Sequence, residues 1–89
     1  MPVVLVHFKV KDYASWKVGF DATTEHRKAG GLTNTHVLRS TDDPNEVFVQ
    51  SDTADTAKAK QFITSPEVRA AQEKSGVIGT PTIHLLNPG

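Results

Sequence analysis

The sequence has 89 residues, with ten basic residues balanced by ten acidic ones and no cysteine. A chain of this length is expected to form a single domain over residues 1–89 with a small core, and the lack of cysteine excludes disulfide bonds and a thiol nucleophile. The balanced charge argues against a nucleic-acid or membrane partner, and the N-terminal stretch MPVVLVHFKV is too short and too quickly charged for a signal peptide, so we expect a cytoplasmic protein.

The N-terminal third of the sequence predicts a strand followed by a helix. Residues 3–10, VVLVHFKV, are rich in β-branched residues and alternate in the manner of a strand. Asp12 suits the N-cap of the helix, because its carboxylate can accept hydrogen bonds from the free backbone N–H groups of the next turn. The helix runs as one element to the glycine pair at 30–31. It carries an apolar stripe of three aromatic residues: Tyr13, Trp16 and Phe20.

The rest of the sequence predicts two strands, two helices and a last strand, at residues 32–40, 46–52, 54–63, 66–74 and 82–86. The stretch STDDPNE contains Asp, Pro and Asn residues that suit a chain reversal, so residues 32–52 form a hairpin. Ser65 and Pro66 mark the start of the second of these helices, with a capping hydroxyl followed by proline at the first helical position.

The resulting order, β-α-β-β-α-α-β, is the ferredoxin-like split βαβ pattern. It predicts an α+β fold in which a four-stranded antiparallel sheet has its helices on one face. Alternation assigns the more apolar sets to the helix side: Val4, Val6, Phe8, Val10, Val37, Val47, Val49, Ile83 and Leu85. The complementary residues share the other face: Leu5, His7, Asn34, His36, Leu38, Phe48, Gln50, Thr82, His84 and Leu86.

This second face combines large apolar side chains with three histidines. Such a patch is not expected to remain in water, so we predict a homodimer in which two sheets pack face to face. A histidine on a half-buried strand is more often a hydrogen-bonded packing residue than a catalyst, although imidazole changes charge near neutral pH and serves as an acid or base. The three histidines would bind a metal ion only if they converged, and no metal site is predicted.

Several stretches resemble the dimeric α/β-barrel superfamily. These are VHFKVKDYASWK (residues 6–17), DDPNE (42–46), SPEVRAA (65–71) and KSGVIGTP (74–81). The sequence is most similar to small antibiotic biosynthesis monooxygenase-like proteins, some of them called cyclases. The resemblance implies that two ferredoxin-like subunits pair their sheets into a barrel. Members include cofactor-independent quinone-forming monooxygenases, polyketide cyclases, isomerases and haem-degrading enzymes. The resemblance implies that haem-degrading members use a histidine on the second helical segment and an asparagine on the first strand. Residues 54–76 contain no histidine and residues 2–10 no asparagine, so haem is not expected here.

The resemblance and the second sheet face together suggest a small cofactor-free enzyme that acts on an aromatic or polyketide-like compound, as a cyclase, isomerase or monooxygenase. The predicted catalytic residues are His7, His84 and His36, with His7 or His84 as the general base. The predicted donors to a developing oxyanion are Gln50, Asn34 or His36. The predicted apolar walls are Phe48, Trp16 and Leu5. Trp16 is either a plain core residue or the wall of a pocket between helix and sheet, and the sequence leaves open whether the pocket lies between the two sheets or between sheet and helices. The competing hypothesis is a non-catalytic homodimer that binds a small molecule or has a structural role.

Overall fold

Four strands and four helices follow one another in the structure, a computed structural model that describes residues 1–89. In chain order they are β1 (Val3–Val10), α1 (Tyr13–Ala22), α2 (Thr24–Ala29), β2 (Thr33–Arg39), β3 (Glu46–Asp52), α3 (Thr56–Ile63), α4 (Pro66–Lys74) and β4 (Val77–Leu86). The strands form one antiparallel sheet in the order β2-β3-β1-β4. The predicted α+β, ferredoxin-like fold is confirmed. No helix is long and apolar enough to cross a membrane.

The strand register confirms the predicted division of residues between the two faces of the sheet. Val6 lies opposite Val49 on one side and Ile83 on the other, whereas its neighbour His7 lies opposite Phe48 and Thr82. The helix-side residues form most of the buried core: Val4, Val6, Phe8, Val10, Trp16, Leu32, Val47, Val49, Ala59, Ile63 and Val77. Burying these side chains supplies the main driving force for folding.

The first helix is divided at Thr23, where a single helix was predicted. The backbone at Thr23 leaves the helical region (φ −108°, ψ 19°), and its N–H donates to the Phe20 carbonyl three residues back. The hydroxyls of Thr23 and Thr24 donate to the carbonyls of Phe20 and Asp21, both at 3.0 Å. These side chains therefore compete with the backbone for the carbonyls of the last turn of α1, which ends the helix.

Strand β4 begins at Val77, five residues before the predicted start at Thr82. The prediction was wrong because Gly79 and Pro81 resemble a turn. Here they lie in a bulge of β4: Lys9 is opposite Ile78 and His7 is opposite Thr82. Residues 79–81 of β4 therefore lie opposite a single residue of β1, Phe8. Gly79 takes a positive φ of 73° there, and proline is tolerated because no ladder hydrogen bond is needed from it.

Candidate active site

Alternate residues of all four strands form the open face, which we define as the side of the sheet away from the helices. Pairing between strands arranges them in rows. One row crosses the sheet as His36, Gln50, Leu5 and His84, and the next as Leu38, Phe48, His7 and Thr82. Six of the predicted site residues lie in these two rows: His7, His36, His84, Gln50, Phe48 and Leu5.

His7 is held by two neighbours on the open face. Its Nε2 atom is 2.7 Å from Oε1 of Glu46, and its ring stacks on Phe48 with a centroid distance of 4.2 Å and an interplanar angle of 6°. A carboxylate can only accept a hydrogen bond, so Nε2 is the donor in this pair, and Nδ1 is the nitrogen that the pair leaves free. The imidazole is therefore oriented, and about one third of its side-chain surface is exposed (33%). The arrangement fits either a packing residue or an oriented base.

The structure brings Gln50 and His84 near His7 but keeps His36 away. Gln50 and His84 both lie opposite Leu5, so each is a diagonal neighbour of His7 at roughly 7–8 Å. His36 and His84 lie on the two edge strands, three strand spacings or roughly 14 Å apart. The three histidines do not converge, and no group of three potential ligands is close enough to hold a metal ion.

Asn34 is also remote from His7. It has a positive φ of 50° and lies in a bulge, where two residues of β2, Asn34 and Thr35, lie opposite the single residue Ser51 of β3. Its side-chain amide donates to the Asp52 carboxylate at 3.1 Å. Phe48 lies opposite His7, and Asp52 is four residues further along β3. The Asn34–Asp52 pair is therefore roughly 13 Å from His7 along the strand direction. The structure does not bring Asn34 close enough to His7 for both to contact one small substrate.

Trp16 lies on the other side of the sheet from Phe48 and Leu5. It is 3% exposed and packs against Phe8 and Phe20, at centroid distances of 5.3 and 4.7 Å. The sheet therefore separates Trp16 from the other two predicted wall residues, and one pocket cannot be lined by all three.

A cavity of about 460 Å³ lies between the helices and the sheet, on the side of Trp16. Its size is within the range of small-molecule sites. The floor is formed by Val4, Val6 and Val49, and aromatic side chains form much of the wall: Phe8, Trp16, Phe20 and Phe62. His26 is the one imidazole that lines it; its ring centroid lies 6.1 Å from that of Phe62.

Small residues on facing helices leave room for this cavity. Gly19 of α1 and Ala71 of α4 both line it, together with Ser75 just beyond α4. A methyl group at Gly19 would lie 3.7 Å from the Cβ atom of Ser75, so the two segments approach closely there. The sequence predicted the aromatic stripe, with Trp16 as either a core residue or a pocket wall, but it did not locate the cavity. The signal that could have indicated a cavity is the occurrence of glycine and alanine where larger residues would have filled the space.

Arg27 lines the cavity and was not singled out from the sequence. Its guanidinium lies 3.6 Å above the Phe20 ring, and Nη1 donates to the Phe20 carbonyl at 2.7 Å and to the Thr23 hydroxyl at 2.8 Å. Burial lowers the pKa of the guanidinium below its usual range, an effect that Asp21 partly offsets. The buried Nε atom of Arg27 has no hydrogen-bond partner.

No protein-family model matches the sequence, and no curated protein is significantly similar to it. Solved structures show the fold clearly. A putative antibiotic biosynthesis monooxygenase from Bordetella bronchiseptica superposes with a TM-score of 0.82 at 13% identity, over 99% of this chain and 96% of that chain. A putative antibiotic biosynthesis monooxygenase from Caulobacter crescentus has a TM-score of 0.72 at 20% identity, over 99% of this chain and 89% of that one.

A third neighbour is SnoaB, a cofactor-independent oxygenase from Streptomyces nogalater. It superposes with a TM-score of 0.73 at 15% identity, over 99% of this chain and 92% of that chain. The structural neighbours are thus antibiotic biosynthesis monooxygenase-like proteins, and the whole chain shares their fold.

Proposed function

We propose that the protein is a small oxygenase that needs no cofactor and acts on a fused-ring aromatic or polyketide-like compound held in the helix-side cavity. The cavity carries this proposal. A volume of about 460 Å³ accommodates a two- or three-ring compound, and the rings of Trp16 and Phe20 offer flat apolar surfaces against which it can stack. The fold shared with SnoaB supports the same class of reaction.

The proposed chemistry uses the electrons of the substrate itself. The methylene carbon between two aromatic rings loses two hydrogen atoms and gains a carbonyl oxygen. Molecular oxygen is the oxidant and is reduced, so that one methylene and one O2 give one carbonyl and one water. The protein has to bind the substrate flat, exclude bulk water and accept a proton from a phenol or the methylene. His26 is the proposed base, because it is the imidazole among the residues lining the cavity.

We propose that the open face is covered by a second copy of the chain. Large apolar side chains are exposed there, among them Leu38 at 51% and Leu86 at 45%. Phe48 and Leu5 extend the same patch between them. Covering the patch would remove this apolar surface from water, which favours association.

A second candidate activity is acid–base chemistry, cyclisation or isomerisation, on the open face. The specific observation in its favour is the pair formed by His7 and Glu46 at 2.7 Å, which orients the imidazole beside the Phe48 ring. His7 would then be the base, with Gln50 and His84 as its nearest polar neighbours on the face. His36, on the edge strand β2, is less favourably located for its predicted role as an oxyanion donor.

Oxygen consumption and quinone formation from a dihydroxyanthrone, corrected for spontaneous oxidation, test these proposals. We expect His26→Gln to reduce the catalysed rate by about a hundredfold or more, the range of general base catalysis, and His7→Gln to leave it within about threefold. The opposite pattern would favour the open-face site. Ligand binding without turnover in the wild-type protein would favour the non-catalytic binding protein, and neither binding nor turnover would contradict an aromatic ligand altogether.

A further inference from the structure

A second depression of about 450 Å³ lies directly beside the helix-side cavity. We call it the groove; it runs between the edge strand β2 and helices α1 and α2. Three residues line both spaces: Phe20, Arg27 and Leu32. The two spaces therefore meet at these side chains, with apolar walls on the cavity side and mainly polar residues on the groove side.

The charges along the groove favour an anion. Lys17, Arg27 and Lys28 contribute positive charges, and Asp21 is the acidic residue among its lining side chains. Lys17 is already paired with Asp21 at 2.6 Å. Lys28 lies 3.8 Å from Glu25, whose side chain is 89% exposed, so that pair is weak and open to water. The groove is therefore lined by three cationic side chains and one carboxylate, an excess of positive charge.

Arg27 has an unused donor at the junction between the two spaces. Its terminal nitrogen atoms bind the Phe20 carbonyl and the hydroxyls of Thr23 and Thr24. Nη2 carries two N–H groups and donates only one hydrogen bond, to the Thr24 hydroxyl at 3.2 Å. Its second N–H is free to donate to a ligand oxygen in the groove, which would form a charge-assisted hydrogen bond.

We propose that the cavity and the groove form one bipartite binding site, whose ligand combines a flat apolar ring system with an anionic oxygen-bearing arm such as a carboxylate. The rings occupy the cavity beside Trp16, and the arm passes Arg27 into the groove towards Lys28. This inference rests on the proposed function, since it specifies the class of compound that the same cavity accepts.

Two matched probes test the proposal on the full chain: naphthylbutanoate and naphthylbutanol, which differ in the charge of the arm. Trp16 is the single tryptophan, so its indole N–H signal in NMR reports binding in the cavity without activity. We expect the acid to bind about tenfold more tightly than the alcohol, as a charge-assisted contact allows. The affinity for the acid, and not for the alcohol, is expected to fall as salt is added.

Substitutions assign this preference to residues. Arg27→Gln should bring the acid to within about twofold of the alcohol, and Lys28→Gln should weaken the acid about threefold. Arg27→Lys keeps the charge and serves as a second variant if Arg27→Gln does not fold. Lys60→Gln is the matched control, because Lys60 is an exposed lysine of α3 that lines neither space. It should leave both affinities unchanged.

The outcomes separate this inference from the proposed function. If acid and alcohol bind with equal affinity, or if Lys60→Gln weakens the acid as much as Lys28→Gln does, the bipartite site is wrong while the aromatic cavity stands. If neither probe shifts the indole signal, the cavity is not an aromatic site, and both proposals are wrong.

Discussion

Gly30 is the position at which a single added methyl group tests the packing around the helix-side cavity. Its backbone angles, φ −78° and ψ −1°, suit any residue, so alanine adds no backbone strain. A Cβ atom there would lie 2.5, 2.6 and 2.8 Å from three atoms of the Phe62 ring. Carbon atoms in contact are separated by about 3.5–4.0 Å. The ring of Phe62 must therefore move by roughly 1 Å, and since it lines the cavity, the shape of the cavity must change with it.

The expected loss of stability follows from two opposing effects. Overpacking of this kind costs about 1–3 kcal/mol. Replacing glycine by alanine in an allowed conformation stabilises the protein by about 0.4–1 kcal/mol, because it lowers the conformational entropy of the unfolded chain. We therefore expect Gly30→Ala to lower the free energy of unfolding by about 1–2 kcal/mol, which corresponds to a fall in Tm of roughly 5–15 °C for a chain of this size.

Thermal and urea unfolding, followed by Trp16 fluorescence at one protein concentration, measure this effect. Gly19→Ala is the matched control, because a methyl group there meets only the Cβ atom of Ser75 at an ordinary 3.7 Å. That substitution lies inside α1 and should raise the stability by about 0.5–1 kcal/mol. Phe62→Ala removes all three contact atoms, so Gly30→Ala should cost little further stability when it is added to a Phe62→Ala variant. A Gly30→Ala protein as stable as the wild type would refute the packing of Phe62 against Gly30.

Two further predictions concern the first helix and the open face. Hydrogen bonds from the side chain and backbone of Ser15 lower the pKa of Asp12 below its ordinary value of 3.8, so the stabilisation that Asp12 provides is complete above that pH and is lost as the pH falls below it. The Tm of the Asp12→Asn variant should therefore fall less than that of the wild type when the pH is lowered from about 5 to 2. An equal fall in Tm for the two proteins would contradict this. Combining Leu5→Asp with Phe48→Asp should give a monomer by light scattering, because charge would enter an apolar contact, and an unaltered dimer would show that the open face is not the interface.

Period-two alternation explains why the sheet could be predicted from the sequence. In β1, every even-numbered residue from Val4 to Val10 is apolar and buried, and the odd-numbered His7 and Lys9 are not. Each alternation fixes which residues share a face, and the antiparallel hairpin fixes which strands are neighbours. The starts of these helices were also predictable, since Asp12 and Ser65 both accept a hydrogen bond from the backbone N–H three residues later.

The helix break, the strand bulge and the cavity could not be predicted from the sequence in the same way. The break at Thr23 depends on hydroxyls that take carbonyls from the helix, and the early start of β4 depends on a bulge that accommodates Gly79 and Pro81. The prediction grouped Trp16 with Phe48 and Leu5 as walls on the basis of residue type, and it left open whether the pocket lies between the sheets or between sheet and helices. Alternation within strands says nothing about where a helix leaves a gap, so the cavity and the role of Arg27 required three-dimensional packing.

Strand β1 contributes residues to both candidate sites, so a change at one site can reach the other through a single strand. Its even-numbered residues Val4 and Val6 form the floor of the cavity, and the intervening Leu5 and His7 lie on the open face. A partner sheet that fixes the open face also fixes the backbone to which the cavity floor is attached. Any preference of a cavity ligand for the dimer must then strengthen dimerisation by the same factor, because coupling between two binding events is reciprocal. The aromatic ligand and the second copy of the chain are thus best studied together, with ligand affinity measured as a function of protein concentration.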